Sequence, residues 1–191
     1  MTNNYYNKNA KKFFNNTVNV DMTPNYKDFL NKVKKQGHIL DAGCGSGRDT
    51  YMFKKYGYKV TAIDASSEMC KLASNYLKEK VTCLKFQDID YINEFDGIWA
   101  SSSLLHVNSK ELPIVLNKLK TALKENGILY ASFKYGTFEG TRNERYFTDL
   151  NEESAKELFN DFELIKIWIT NDARKGREDE KWLNILVKKE E

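Results

Sequence analysis

Three aspartates and three glycines, at set distances from one another, carry the first chemical signal in this chain. Asp41 closes the apolar run Ile39-Leu40, and Gly43, Gly45 and Gly47 follow at alternate positions, with Ala42, Cys44 and Arg48 around them. Asp64 stands about 20 positions beyond this turn, and Asp88 about as far again. Glycine at such a turn permits positive φ and leaves no Cβ between a ligand and the backbone N–H groups. A carboxylate placed like Asp64 can accept from two neighbouring hydroxyls at once, as a ribose presents them. The chemistry on offer is the binding of a nucleoside-bearing cofactor. The bland alternative is a tight strand-to-helix turn in which Asp64 acts as a helix N-cap.

Glycine turns of this kind serve both dinucleotides and S-adenosylmethionine. A dinucleotide fingerprint would begin at Gly43 or Gly45 and end at Arg48 or Thr50, and neither end residue allows the close helix–strand contact that glycine gives. Asp41 lies two residues before Gly43, where a carboxylate would face a pyrophosphate badly but suits an ammonium and a sulfonium. Both details favour S-adenosylmethionine.

Positioning these residues requires strands that alternate with helices. Apolar runs predict strands over about 38–42, 58–63, 81–86, 95–100, 127–134, 162–170 and 182–188. Helical spacing predicts helices over about 22–35, 46–56, 66–77, 110–124 and 151–160. Pro24 suits a first helical turn, and Gly57 suits a stop. The alternation predicts a parallel sheet with helices on both faces. Only the charged segment 172–180 separates the last two strands, so they form an antiparallel hairpin. Residues 136–148 read as a loop long enough to suspect function.

Five segments in this order resemble the motifs of the class I S-adenosylmethionine-dependent methyltransferases, in particular small single-domain bacterial members of the tellurite-resistance type. They are ILDAGCGSGRDT (39–50), VTAIDASSEM (60–69), LKFQDID (84–90), FDGIWASSSLLHV (95–107) and LKENGILYASFKYG (123–136). The resemblance is strongest over 36–136. It implies a Rossmann-like α/β fold, with a seven-stranded, mostly parallel sheet of order 3-2-1-4-5-7-6 and strand 7 antiparallel. It also implies one domain over 1–191: an N-terminal arm and helix (1–35) that can serve as a lid, a cofactor-binding core (36–136), and a substrate-side loop with the C-terminal strands (137–191).

The implied cofactor is S-adenosylmethionine, with S-adenosylhomocysteine as product. On this resemblance the turn residues Ala42, Gly43, Cys44, Gly45, Gly47 and Arg48 lie against the cofactor, and Asp41 binds the methionine amino group directly or through water. Asp64 takes the ribose, Ala65 and Met69 pack beside the adenine, Asp88 accepts from its exocyclic amine, and Gln87 and Ile89 flank the ring. Ser101 lies near the sulfur and its methyl group, and Tyr6 reaches the cofactor from the lid.

Methyl transfer from a sulfonium is an in-line displacement, so alignment of nucleophile and methyl supplies much of the rate. A base is needed only where the nucleophile carries a proton that must leave. His106, just after the fourth strand, is the candidate base, and Tyr146 is the second candidate catalytic residue; a structural, helix-capping histidine is the alternative for His106. Phe14, Lys134, Arg142, Arg174 and Arg177 are candidate substrate contacts. Aromatic and arginine side chains together suit a planar or anionic small molecule, although each could also be packed or solvated. Amino-methyltransferases of nucleic-acid bases usually carry an Asn/Asp-Pro-Pro-aromatic stretch after the fourth strand, and here that place reads Ala100-Ser-Ser-Ser-Leu-Leu-His106.

The remaining signals bound the class. A net charge of +3 is too mild to argue for nucleic acid, although seven lysines against Asp21 and Asp28 make residues 1–36 basic. No stretch approaches the roughly 18 apolar residues of a membrane span. Cys44, Cys70 and Cys83 lack disulfide or zinc spacing, so no metal is expected and a reducing cytoplasm is the simplest home. The oligomeric state is unreadable. The rival readings are a methyltransferase of protein or RNA, a non-catalytic S-adenosylmethionine-binding protein, and an NAD-dependent oxidoreductase.

Overall fold

Alternate residues of the central strands point to opposite faces, and this builds two apolar layers around one sheet. The computed structural model describes residues 2–190; the first and last residues of the expected arm and C-terminal segment, 1 and 191, lie outside the described residues. The sheet contains β1 (His38–Ala42), β2 (Lys59–Asp64), β3 (Thr82–Cys83), β4 (Phe95–Ala100), β5 (Leu123–Lys134), β8 (Glu163–Asn171) and β9 (Lys181–Lys188). Its order is β3-β2-β1-β4-β5-β9-β8. β1 pairs in parallel with β2 and β4, and β9 runs antiparallel to both β5 and β8. Once a small additional hairpin, β6 (Glu139–Arg142) and β7 (Arg145–Thr148), is set aside, this is the expected order with the expected antiparallel strand.

Leu40, Ile98 and Leu129 face one layer, closed by Val115, Leu116 and Leu119 of α5 (Leu112–Ala122) and by Phe159 just after α6 (Glu152–Leu158). Ile39, Trp99 and Tyr130 face the other, against Tyr26 and Phe29 of α2 (Thr23–Leu30) and Phe53 of α3 (Arg48–Lys55). Trp99 and Tyr130 are register partners on β4 and β5 and stack at 3.9 Å with their planes 13° apart. The period-2 change of face thus lets consecutive residues serve two layers. Among the described residues no helix is long and apolar enough to cross a membrane.

Four segments depart from expectation. The N-terminal arm is a helix, α1 (Thr2–Thr17), and α4 (Ser67–Leu77) packs next to it. The helix expected over 22–35 ends at Leu30 and unwinds into turns that reach positive φ at Gln36. The strand expected over 81–86 pairs only at Thr82–Cys83 and then coils into a 3-10 turn, Phe86–Asp88. The expected loop 136–148 is a hairpin instead. Asn143 and Glu144 both take positive φ, 48° and 62°, which is the two-residue turn whose twist matches paired strands.

Candidate active site

Ile63, at the end of β2, receives the glycine turn: the N–H groups of Gly43 and Cys44 both donate to its carbonyl at 2.9 Å. Gly43, Gly45 and Gly47 have φ of 83°, 53° and 80°. A Cβ on Gly43 would stand 2.4 Å from Cβ of Ser103, whose hydroxyl donates to the carbonyl of Ala42 at 2.7 Å. The glycine is therefore required by its φ and by the loop after β4, which lies directly on it. Gly45 is open on its outer side, where the nearest atom to a built Cβ is a ring carbon of Phe13 at 3.5 Å.

Asp64 ends β2 and is held by this turn. One carboxylate oxygen accepts from the N–H of Gly45 at 2.9 Å, the other from the N–H of Ser66 at 2.8 Å. Burial raises its pKa above the ordinary value, against the opposing pull of these donors. Each oxygen keeps a second lone pair, so acceptor capacity remains on the cavity side. Ala65, Met69, Gln87 and Asp88 line the same end of the cavity, with Leu84 and Phe86 between them. Asp88 sits in the 3-10 turn and is exposed, and Gln87 donates to Glu111 at 2.8 Å.

The aspartate of the motif lies beneath this surface. Asp41 is 2% exposed and accepts from the hydroxyl of Thr50 at 2.6 Å. Burial, and then the charge of Asp49, raise its carboxyl above the ordinary range. It does not reach the cavity wall, and neither do Ala42, Gly47 and Ile89; Ile89 is a core residue at 1% exposure. Asp49 accepts from the Tyr26 hydroxyl, from Trp99 Nε1 at 2.8 Å and from Arg48. Burial works against its charge, yet the Arg48 guanidinium holds its pKa low. Arg48 also donates to the carbonyl of Thr17 at 3.3 Å, so this cavity-lining arginine caps the C-terminus of α1.

α1 covers the site with one face. Thr2, Tyr6, Phe13 and Thr17 line the cavity at helical spacing, so Phe13 and not Phe14 faces inward. Phe14 packs outside against Tyr76, with ring centroids 5.8 Å apart. Asn7 accepts from the Ser66 hydroxyl at 2.6 Å, and the Thr2 hydroxyl accepts from the N–H of Tyr146 at 3.0 Å.

In the loop after β4, His106 Nδ1 lies 2.6 Å from the carbonyl of Tyr146. A carbonyl can only accept, so Nδ1 carries the proton and Nε2 is an acceptor. The hydroxyl of Tyr6 donates to that Nε2 at 2.8 Å. Burial, aided by the charge of Arg145, lowers the pKa of His106 to about 4. The imidazole is therefore neutral near pH 7, with its basic nitrogen turned to α1. Tyr146 contributes its carbonyl to this arrangement; its hydroxyl donates to Glu139 at 2.7 Å on the exposed side, which does not support a catalytic role for the phenol.

The rest of the cavity lies over β4, β5, β8 and β9. Ser101 and Ser132 line it, and Tyr130 donates to Asn184 at 2.6 Å. Asn25 of α2 donates to both, at 3.0 and 3.2 Å. The expected cationic contacts are mostly engaged. Arg174 and Arg177 line the cavity but pair with Asp172 and Glu180, and Lys134 pairs with Glu180 and stands 4.4 Å over the Trp182 ring. Burial and the neighbouring arginines lower the pKa of Lys134 to about 8. Arg142 is off the cavity, paired with Asp149 and stacked on Phe138 and Phe147.

The cavity has a volume of about 890 Å³, near the upper end of the roughly 300–1,000 Å³ usual for ligand sites. Its two ends differ in chemistry. One has bare glycine backbone and the acceptors Asp64 and Asp88, which fit a nucleoside cofactor. The other has aromatic, amide and guanidinium groups. Phe13, Phe86, Asn25 and Asn184 are absent from the expected site. For Phe13 the signal was its spacing of seven from Tyr6 in a helix, and for Phe86 its place in the segment 84–90 beside Gln87; Asn25 and Asn184 give no local signal, because tertiary packing alone brings them in.

Residues 39–127 match a family model described as a methyltransferase domain. The chain is 29% identical over 155 residues to an uncharacterized methyltransferase of Staphylococcus carnosus, covering 76% of this chain and 75% of that protein. It spans only about a quarter to two fifths of several other curated relatives. A solved 1,6-didemethyltoxoflavin-N1-methyltransferase from Burkholderia thailandensis, with bound 1,6-didemethyltoxoflavin and S-adenosylhomocysteine, superposes with a TM-score of 0.78 at 19% identity, over 98% of this chain and 85% of that one. TehB from Haemophilus influenzae gives 0.74 at 18% identity, over 98% and 67%.

Proposed function

We propose that the chain is a class I S-adenosylmethionine-dependent methyltransferase and that its acceptor is a small molecule, planar or anionic, whose nucleophilic atom gives up its proton toward Nε2 of His106. The observation that carries this reading is the Tyr6–His106 hydrogen bond inside the same cavity as the glycine turn. When bound, the cofactor supplies a methyl group already activated on a positively charged sulfur. The glycine turn, Asp64 and Asp88 hold its nucleoside. Ser101 and Ser132 line the same cavity. α1 excludes water from above, with Tyr6, Asn7 and Thr2 as its ties. Burial keeps His106 neutral at pH 7 but also makes it a weak base, with a pKa of about 4, so proton transfer to it requires a bound anion that stabilises the imidazolium or an acidic acceptor. Its ring is held in one orientation by the Tyr146 carbonyl, and Tyr6 occupies the proton-accepting nitrogen until an acceptor replaces it or relays through it.

The test is transfer from methyl-labelled S-adenosylmethionine into a cell extract separated into small-molecule and macromolecular fractions. Label in the small-molecule fraction supports the reading, and label confined to macromolecules overturns it. His106→Gln should lower turnover on a labelled acceptor about 100-fold or more, the range for general bases, and leave S-adenosylhomocysteine affinity unchanged. Turnover at the wild-type rate would make His106 a structural residue.

A further inference from the structure

One arginine of the cavity differs from the others. Arg48, Arg174 and Arg177 each pair with a carboxylate. Arg145, also on the cavity wall, has no carboxylate partner among the described residues; its Nε is buried without a hydrogen-bond partner, as is that of Arg142, but Arg142 is off the cavity and already paired with Asp149. Buried unsatisfied donors are uncommon in folded proteins and ask for an explanation. The guanidinium of Arg145 lies 4.7 Å from the ring centre of Tyr5 and 5.1 Å from that of Phe147, and it acts electrostatically on both Tyr6 and His106. The aromatic rings fix its plane, and the neighbouring dyad fixes its place.

The surrounding charge points the same way. At this end of the cavity Lys134, Arg145, Arg174 and Arg177 stand against Asp172 and Glu180, so four cations meet two carboxylates and two positive charges are left over. Arg177 and Lys134 both feel this excess as a downward pull on their pKa, after burial. A planar fork of N–H donors with no anion of its own matches an oxyanion in a way that a paired arginine does not. Tyr6 and Phe147 line the cavity beside it, and aromatic faces suit a flat ring.

We infer that Arg145 is the specificity-determining residue of the acceptor end and that it binds the oxyanion of a small planar acid, next to the Tyr6–His106 pair. The inference rests on the small-molecule reading above and narrows it to acids. It also places the anion contact on the hairpin β6–β7, away from the arginines of the β8–β9 loop.

The test uses the full chain saturated with S-adenosylhomocysteine, titrated calorimetrically with benzoate, phenyl phosphate and benzamide. Benzoate and phenyl phosphate carry the same oxyanion chemistry from two sources, and their ratio identifies the one preferred. The wild type should bind at least one of them about 10- to 100-fold more tightly than benzamide, as expected for charge-assisted hydrogen bonds. Arg145→Gln should bind acid and amide alike, Arg145→Lys should recover part of the difference, and both should keep S-adenosylhomocysteine affinity, which shows that the fold is intact. Equal binding of acid and amide by the wild type overturns the inference and leaves the small-molecule reading standing, as does full acid binding by Arg145→Gln. Failure of all three probes to bind also overturns the inference, and the labelled-extract experiment then decides the small-molecule reading by itself.

Discussion

Substituting Gly43 with alanine should reveal two separable costs. The first is conformational: at φ 83° an L-residue sits in the left-handed region, at about 1–2 kcal/mol. The second is steric. The new Cβ would lie 2.4 Å from Cβ of Ser103, well inside the roughly 3.5–4.0 Å of a carbon–carbon contact, and overpacking of this kind costs about 1–3 kcal/mol. Together they predict a loss of about 2–5 kcal/mol, a large part of the roughly 5–15 kcal/mol that holds an ordinary domain folded. Ser103→Gly alone removes a hydroxyl that donates to the Ala42 carbonyl at 2.7 Å and loosens the backbone, for about 1–2.5 kcal/mol. In the double variant the clash is gone and only the conformational costs and the lost hydroxyl bond remain, so the two changes should couple by about 1–3 kcal/mol. Urea unfolding of the wild type, both single variants and the double variant measures that coupling directly. Gly43→Ala with Ser103→Ala is the control: it keeps the obstructing Cβ and should show little relief. Coupling below about 0.5 kcal/mol would mean that the loop after β4 does not rest on the turn as described.

Asp64→Ala should weaken S-adenosylhomocysteine by about 1.5–3 kcal/mol in calorimetry, the scale of hydrogen bonds to a charged group, and unchanged affinity would remove Asp64 from the ribose. His106 has a folded pKa of about 4 against an ordinary 6.5, so the unfolded chain takes up the proton first. Its contribution, about 3 kcal/mol at 1.4 kcal/mol per tenfold, should be complete above pH 6.5 and lost as pH falls toward 4. His106→Gln should lack that loss in urea titrations across the window, and a ring-proton NMR titration centred near 6.5 in the wild type would refute the burial argument. Tyr6→Phe removes the donor to Nε2 and should cost about 0.5–1.5 kcal/mol, with faster amide exchange across α1; unaltered exchange would show that the contact does not hold the helix.

The cofactor end was legible because its determinants are local. A Gly-rich turn between an apolar strand and a helix needs no distant partner to be recognised, and the strand-end position of Asp64 follows from a period-2 run. Even there, Asp41 shows the limit. Its place in the motif suggested contact with the ligand, whereas burial and Thr50 hold it under the floor. The acceptor end was legible only as a composition of arginines and aromatics. Which arginine is free depends on where Asp172, Glu180 and Asp149 fall in space, so Arg174, Arg177 and Arg142 could not be told apart from Arg145. The hairpin at 139–148 was missed for a related reason. Its turn is Asn143-Glu144, and Glu at positive φ is not a turn signal that one would read.

The docking of α1 has a consequence for the order in which the chain folds. The helix precedes its partners in the chain by a wide margin: Ser66, His106 and Tyr146 lie 59 to 144 residues further along. Only Ala10 and Thr17 of its sixteen residues are buried, so it has little apolar surface with which to begin a core. Isolated helices of this length are marginal in water. This placement predicts that α1 joins last, after the sheet has closed, and comes away first as a small cooperative unit that needs less free energy than global unfolding. A ligand held beneath it binds only the docked form and so shifts that local equilibrium by mass action. On this account each turnover would replay the final step of folding, and the rate at which sixteen residues undock would set a ceiling on product release.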